Sequence, residues 1–197
     1  MNHAKRREDL SKRIENERID SVAITTLPNL LYFFNYSGHS FERFCCGLFS
    51  KDGTKSALVI PKLDLGKTKR SDVGSVFAWT DTEGYENALK SAMSYIKAPG
   101  EKVGTELGLT LGQMEQFKQV LHTSVFAPMS KEISEQRSIK SQDELKSVRD
   151  SANRLARCYK AFPEIIKRGK TESDIGFEMV KIMSEKGLGG SELPALW

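Results

Sequence analysis

Residues 137–190 carry two helix starts in tandem, with little sequence after them to cover the faces they would expose. Ser141 precedes Glu144 in S-x-x-E order, a capping-box pattern that satisfies backbone N–H groups at a helix start. Thr171 precedes Asp174 at the same spacing, and Glu172 and Asp174 sit where the helix dipole favours anions. Between them, Gly169 follows Lys167 and Arg168 as a candidate C′ residue. In the first helix Leu145, Val148, Ala152, Leu155, Tyr159, Phe162 and Ile166 recur at three- and four-residue spacing and share a face. Pro163 removes a backbone donor and is expected to kink it. The second helix, about 171–186, places Ile175, Met179, Ile182 and Met183 on one side, with Gly187 to end it.

Two amphipathic helices need something to bury their stripes against. Residues 191–197, SELPALW, leave room for one short strand and no sheet. The second domain is therefore expected to be begun rather than finished. Its stripes are expected to pack on the first domain or on another chain.

The preceding residues alternate strand and helix patterns. Residues 4–17 read as a charged helix with Leu10 and Ile14 inward, 21–26 as a β-branched strand, and Pro28 opens a short helix over NLLYFF. Residues 44–50 and 55–60 form an antiparallel hairpin about Asp52-Gly53. Residues 63–70 are weakly helical, and 75–80, 102–105 and 124–127 read as strands. Helices are expected at 84–97 and 110–121, the latter capped by Thr110 with Leu111, Met114, Phe117, Val120 and Leu121 inward; residues 129–136 lead into a linker. The pattern implies an α/β fold with a mixed sheet flanked by helices.

Net charge is +4 with both signs interleaved, which does not suggest nucleic-acid binding. No apolar run approaches a membrane span, and the N-terminus shows no signal-peptide core. A cytoplasmic location is expected. Cys45, Cys46 and Cys158 are an odd number without metal-ligand spacing and read as free thiols; in a strand Cys45 and Cys46 would face opposite sides.

The series Arg137, Ile139, Lys140, Glu144, Leu145, Val148, Arg149, Ala152, followed by Gly169, Thr171, Glu172 and Ile175, resembles the entry to the pita-bread domain of the creatinase and Xaa-Pro dipeptidase (prolidase) family. Upstream, Leu27, Pro28, Asn29, Leu31, Tyr32, Phe33 and Gly38 fit the opening of that family's N-terminal domain, and Val103–Glu106 (VGTE) resembles one of its strands. The resemblance implies residues 1–130 as a creatinase N-terminal-like, ribonuclease H-like domain, and 131–197 as a linker and the start of an incomplete pita-bread α+β domain. It further implies a homodimer and hydrolysis of Xaa-Pro dipeptides by a divalent metal pair (Co, Mn or Zn) in a full-length parent. The family's metal ligands, two Asp, one His and two Glu, would lie past Trp197. No catalytic residue or metal ligand is therefore assigned to this chain, and alone it is expected to be inactive. Two other readings stay open: a non-catalytic binding or dimerisation module of pita-bread type, and a creatinase-type amidinohydrolase fragment.

The remaining functional candidate is the loop 35–43, NYSGHSFER. In prolidase-like dimers a loop of one N-terminal domain reaches the active-site mouth of the other subunit. His39, Phe41 and Arg43 stand where such a loop would be, and a guanidinium there can meet a substrate carboxylate bidentately. His3 and His122 read as structural or solvated, and Trp79 as a core aromatic with a weaker claim to the site entrance.

Overall fold

Every strand of the first half is short, and three of them are apolar on both sides, so a sheet built from them must be covered twice. The computed structural model describes residues 2–38, 42–98, 101–121 and 125–188. The chain divides into two compact units, Asn2–Ile139 and Lys140–Trp197. The first unit runs past the 130/131 boundary read from sequence. The reason is α6, Ser130–Ser138, where a linker was expected: Ile133 and Gln136 are buried, and the Gln136 Nε2 donates to the Arg6 carbonyl at 2.8 Å.

The first unit is a six-stranded mixed sheet in the order β4-β3-β2-β1-β5-β6. The strands are β1 Ser21–Ile24, β2 Cys46–Ser50, β3 Ser56–Pro61, β4 Ser75–Trp79, β5 Lys102–Thr105 and β6 Val125–Pro128. β2 pairs antiparallel with both β1 and β3, whereas β3–β4, β1–β5 and β5–β6 are parallel. Five strands thus point one way. Their carboxyl ends, with the start of β2, form one edge of the sheet.

Alternation along the central strands feeds two cores. Val22, Ile24, Phe49, Leu58 and Ile60 face one side, where α1 (His3–Arg13), α2 (Leu27–Phe34) and α6 supply Leu10, Phe33, Phe34 and Ile133. Ala23, Cys46, Leu48, Ala57 and Val59 face the other, covered by α4 (Glu86–Ile96) and α5 (Leu111–Val120) through Leu89, Ala92, Ile96, Phe117 and Val120. Cys45, the residue just before β2, lies with the first core and Cys46, its first residue, with the second. Thr110 caps α5 as expected, in a capping box that Gln113 completes, but Leu111 is 80% exposed. It occupies the first helical position, before the stripe has turned inward. A 3-10 turn, Lys62–Lys67, and α3, Arg70–Val73, link β3 to β4.

In the second unit both capping boxes form, Ser141 with Glu144 and Thr171 with Asp174. They open α7, Gln142–Lys160, and α9, Glu172–Glu185. The expected kink at Pro163 is a full break. α7 ends at Ala161 and Pro163 starts a separate turn, α8, Phe162–Ile165, because a proline fits the first turn of a helix better than its interior. Gly169 has φ +90°, but it lies in the turn after α8 rather than capping α7. Cys158, Ile165 and Met179 form a small core with Ile175, Ile182 and Met183. The α7 stripe is turned aside from it: Val148 is 58% and Tyr159 59% exposed. The expected strand at 191–197 lies outside the described residues. Among the described residues no helix is long and apolar enough to cross a membrane.

Candidate functional site

The described ends of the loop 35–43, residues 35–38 after α2 and 42–43 before β2, lie at the carboxyl edge of the sheet, where open α/β sheets place their ligand crevices. His39 and Phe41 lie outside the described residues. Arg43 is described, together with the frame that holds both ends of the loop.

The entry is set by α2. This helix is short and its last carbonyls need partners. α1 supplies them: His3 Nδ1 and Arg6 Nη1 each donate to Tyr32 O at 2.9 Å, and Arg7 Nη1 donates to Phe33 O at 2.5 Å. Burial lowers His3, which keeps it a neutral donor near pH 7. Burial also brings the Arg7 guanidinium down to about 10, so it stays charged there. The other end of α2 rests on Glu106, just past β5. Its carboxylate accepts the Thr25 and Thr26 N–H groups at 2.5 and 2.6 Å, the Thr26 hydroxyl at 2.7 Å and the Asn29 amide. Asn29 Oδ1 in turn accepts Arg137 Nη1 at 2.8 Å.

After α2 the chain turns at Asn35 in the left-handed region, φ 51°, and the Asn35 amide donates to Asp72 Oδ2 at 2.9 Å. Asn tolerates that conformation better than most residues. Tyr36 then dives into the core, its hydroxyl donating to Asp64 Oδ2 at 2.7 Å, while Lys67 Nζ lies 2.6 Å from Asp64 Oδ1. Burial alone would raise the Asp64 carboxyl. The hydrogen bonds from Lys67 and Tyr36, with the charges of Lys67 and Arg43, outweigh it and hold the group below the usual carboxylate range. Burial pushes Tyr36 far above its ordinary value and the neighbouring Cys45 thiol up to about 12, so neither ionises near neutrality.

At the exit, Phe44 is buried against Tyr85 and Phe117, with ring centroids at 4.4 and 5.2 Å, and its carbonyl accepts Trp79 Nε1 at 3.1 Å. Trp79 is therefore a core anchor for the loop rather than part of an entrance. Arg43, immediately before Phe44, is exposed and grips Asp81, past the end of β4, through Nε and Nη2 at 2.9 Å each. Two of its five donors are so used, and the rest have no recorded partner among the described residues. Asp81 raises the Arg43 guanidinium and is itself lowered by it.

Sequence reading found the loop and Arg43 but missed Asp81, Tyr36, Asp64 and Lys67. Asp81 is 38 residues from Arg43 and Asp64 is 28 from Tyr36, and no local pattern pairs them; Lys67 is near in sequence only to Asp64. Glu106 was noticed only as a motif residue, although Thr-Thr ahead of Pro28 marked a helix start in need of an acceptor. His3 proves structural, and His122 lies outside the described residues. All three cysteines are buried and free. Among the described residues no three His, Cys, Asp or Glu side chains come together as a metal site requires. The divalent pair implied by the resemblance thus has no seat among them, and no metal-dependent step is derived for this chain.

Residues 6–139 match the family described as Creatinase/Prolidase N-terminal domain. Among curated proteins, uncharacterized peptidases of Staphylococcus aureus strains bovine RF122 / ET3-1 and USA300 are each 26% identical over 176 residues, 89% of this chain and 48% of theirs. Among solved structures, a recombinant prolidase from Thermococcus sibiricus superposes with a TM-score of 0.79 at 19% identity, over 94% of this chain and 50% of its own. A Xaa-Pro dipeptidase from Bacillus anthracis gives 0.75 at 18%, over 94% and 50%. The prolidase from Pyrococcus horikoshii OT3 gives 0.74 at 20%, over 92% and 48%. These likenesses establish the fold. The chain spans about half the length of the curated relatives it matches.

Proposed function

The chain belongs to the creatinase/prolidase N-terminal domain family, and on that footing we propose that it forms the N-terminal part of a cytoplasmic, homodimeric Xaa-Pro dipeptidase-like metallopeptidase. The sheet unit dimerises and shapes access to the partner's active site. The reaction is hydrolysis of the bond before proline. When bound, a divalent metal pair (Co, Mn or Zn) would supply an activated water and polarise the carbonyl, and its ligands would be residues other than those described here. The supporting observation is Arg43: an exposed guanidinium with spare donors, on a loop anchored at both ends to a rigid carboxyl edge. Its task is to meet the peptide's carboxylate, for which the planar fork is suited. His39 and Phe41, from the same loop, complete the mouth.

The test is kinetic, on the complete gene product loaded with Co, Mn or Zn. Xaa-Pro dipeptides should be cleaved, and Arg43→Ala should raise KM more than it lowers kcat. Mixing subunits that carry Arg43→Ala with subunits inactivated in their chemistry should restore wild-type KM at one site per mixed dimer, since the loop acts across the interface. Absence of Xaa-Pro cleavage in the complete product with every metal would refute the peptidase reading and leave the non-catalytic binding module.

A further inference from the structure

Arg43 and Asp81 lie 38 residues apart in sequence, yet the structure sets up their meeting from both sides. On one side, Phe44 is buried against Tyr85 and Phe117, and its carbonyl accepts the Trp79 indole N–H at 3.1 Å, so Arg43 springs from a fixed point. On the other side, Asp81 comes two residues after that same tryptophan, inside a turn closed by Thr80. The Thr80 carbonyl accepts the N–H groups of Glu83 and Gly84 at 3.1 and 3.0 Å, and its hydroxyl donates to Glu83 Oε2 at 2.8 Å. One buried hydrogen bond thus aligns the two stretches of backbone, and a closed turn presents the carboxylate to the arginine. The two side chains are 42% and 64% exposed, where an ion pair adds little to stability. What the contact does fix is direction. A guanidinium has two edges that can take a carboxylate through two parallel bonds, Nε/Nη2 and Nη1/Nη2. Asp81 occupies the first, with both bonds at 2.9 Å, and the second has no hydrogen-bond partner among the described residues.

We propose that Asp81 is a positioning residue, which holds the Nε/Nη2 edge of Arg43 so that the Nη1/Nη2 edge presents to the C-terminal carboxylate of the peptide. The proposal rests on the reading of Arg43 as the group that meets that carboxylate. Asp81 has two opposed effects on such a ligand. Its charge repels a second carboxylate, but at the surface water and salt screen that repulsion. Its grip removes, before binding, the rotamer freedom that a long arginine side chain would otherwise lose on binding. The second effect is the larger, so removing Asp81 weakens the hold on the peptide even though it takes away a negative charge.

The experiment uses the complete gene product with a Xaa-Pro dipeptide. Asp81→Asn keeps the shape and one acceptor oxygen but sets an NH2 against a guanidinium donor, which breaks the paired grip. It should raise KM about fivefold, the scale of ordering one long side chain, with kcat within about twofold. Arg43→Ala should raise KM at least as much, and the double variant should match Arg43→Ala alone, because Asp81 acts through Arg43. The amide of the same dipeptide, measured as a competitor, should bind the parent and Asp81→Asn equally, since it offers the fork no carboxylate. A fall in KM in Asp81→Asn would mean that relief of repulsion wins, and it overturns the proposal. So do additive effects in the double variant, and so does an equal loss of affinity for the amide, which is the mark of a merely structural aspartate. An unchanged KM in Arg43→Ala removes the reading of Arg43 and the proposal with it, whereas a raised KM there and none in Asp81→Asn removes the proposal alone.

Discussion

Replacing Glu106 by Ala should destabilise the sheet unit more than any surface charge change. The carboxylate is 4% exposed and accepts from two backbone N–H groups, two threonine hydroxyls and the Asn29 amide. Hydroxyls can rotate to other acceptors, and the Thr26 N–H is partly accessible to water. The Thr25 N–H and the Asn29 Nδ2 are buried and have nowhere to turn. Orphaning a buried donor costs about 1–3 kcal/mol, so two of them, with the loss of an anion at the start of α2, sum to about 3–5 kcal/mol. For a chain of this size that is a fall of roughly 6–20 °C in melting temperature. Urea unfolding followed by far-UV circular dichroism measures it. Glu106→Gln keeps one acceptor oxygen but sets an NH2 against donors, and should lose roughly half as much. A loss below about 1 kcal/mol in Glu106→Ala would show that water replaces the carboxylate and that the burial argument is wrong.

Three further outcomes follow from the same geometry. Asp64 is held below its ordinary value in the fold, so its contribution to stability is complete above the unfolded value of about 4 and is lost as pH falls through the lower folded value. Acid unfolding of Asp64→Asn should accordingly be shallower below about pH 4 than that of the parent, with Asp52, Asp81 and Asp174, also lowered, accounting for the remaining slope; equal slopes would contradict the assignment. A thiol reagent at pH 8 should label none of Cys45, Cys46 and Cys158 in the folded chain and all three in denaturant, because each is buried and burial raises the Cys45 and Cys46 thiols. Thr171→Ala removes the side-chain half of a capping box and should cost the second unit about 1 kcal/mol, whereas Val148→Ser, at an exposed position, should change stability by less than about 0.5 kcal/mol.

Local chemistry was legible wherever residues close in sequence do the work. The capping boxes at Ser141 and Thr171, the cap at Thr110, the Pro28 start of α2, the hairpin at Gly53 and the alternation that sends Cys45 and Cys46 to opposite cores all involve neighbours within a few residues. Strand and helix order, and from it the mixed sheet, follow from the same short-range periodicities. α6 was not legible, because its inward residues, Ile133 and Gln136, include a glutamine whose burial depends on a carbonyl of α1. The tilt of α7 was not legible either. Periodicity shows that a stripe exists but not which face a neighbour covers, and α9 meets Cys158 rather than Val148 and Tyr159.

The candidate site divides along the same line. The loop and its Arg43 were visible as an unusual run of polar and aromatic residues between an expected helix and strand. Asp81, Asp64 and Glu106 could not be chosen from the other acidic residues of the chain. Each follows a different strand, and the ends of β3, β4 and β5 reach one edge beside the start of β2 only because β3–β4 and β1–β5 pair parallel while β2 runs antiparallel between β3 and β1. The sequence alone determined the sheet strands and most of the helices, since backbone hydrogen bonding and side-chain period are local. The tertiary structure decided which charges meet, since that depends on strand order, and strand order is a long-range consequence of burying both faces of one sheet.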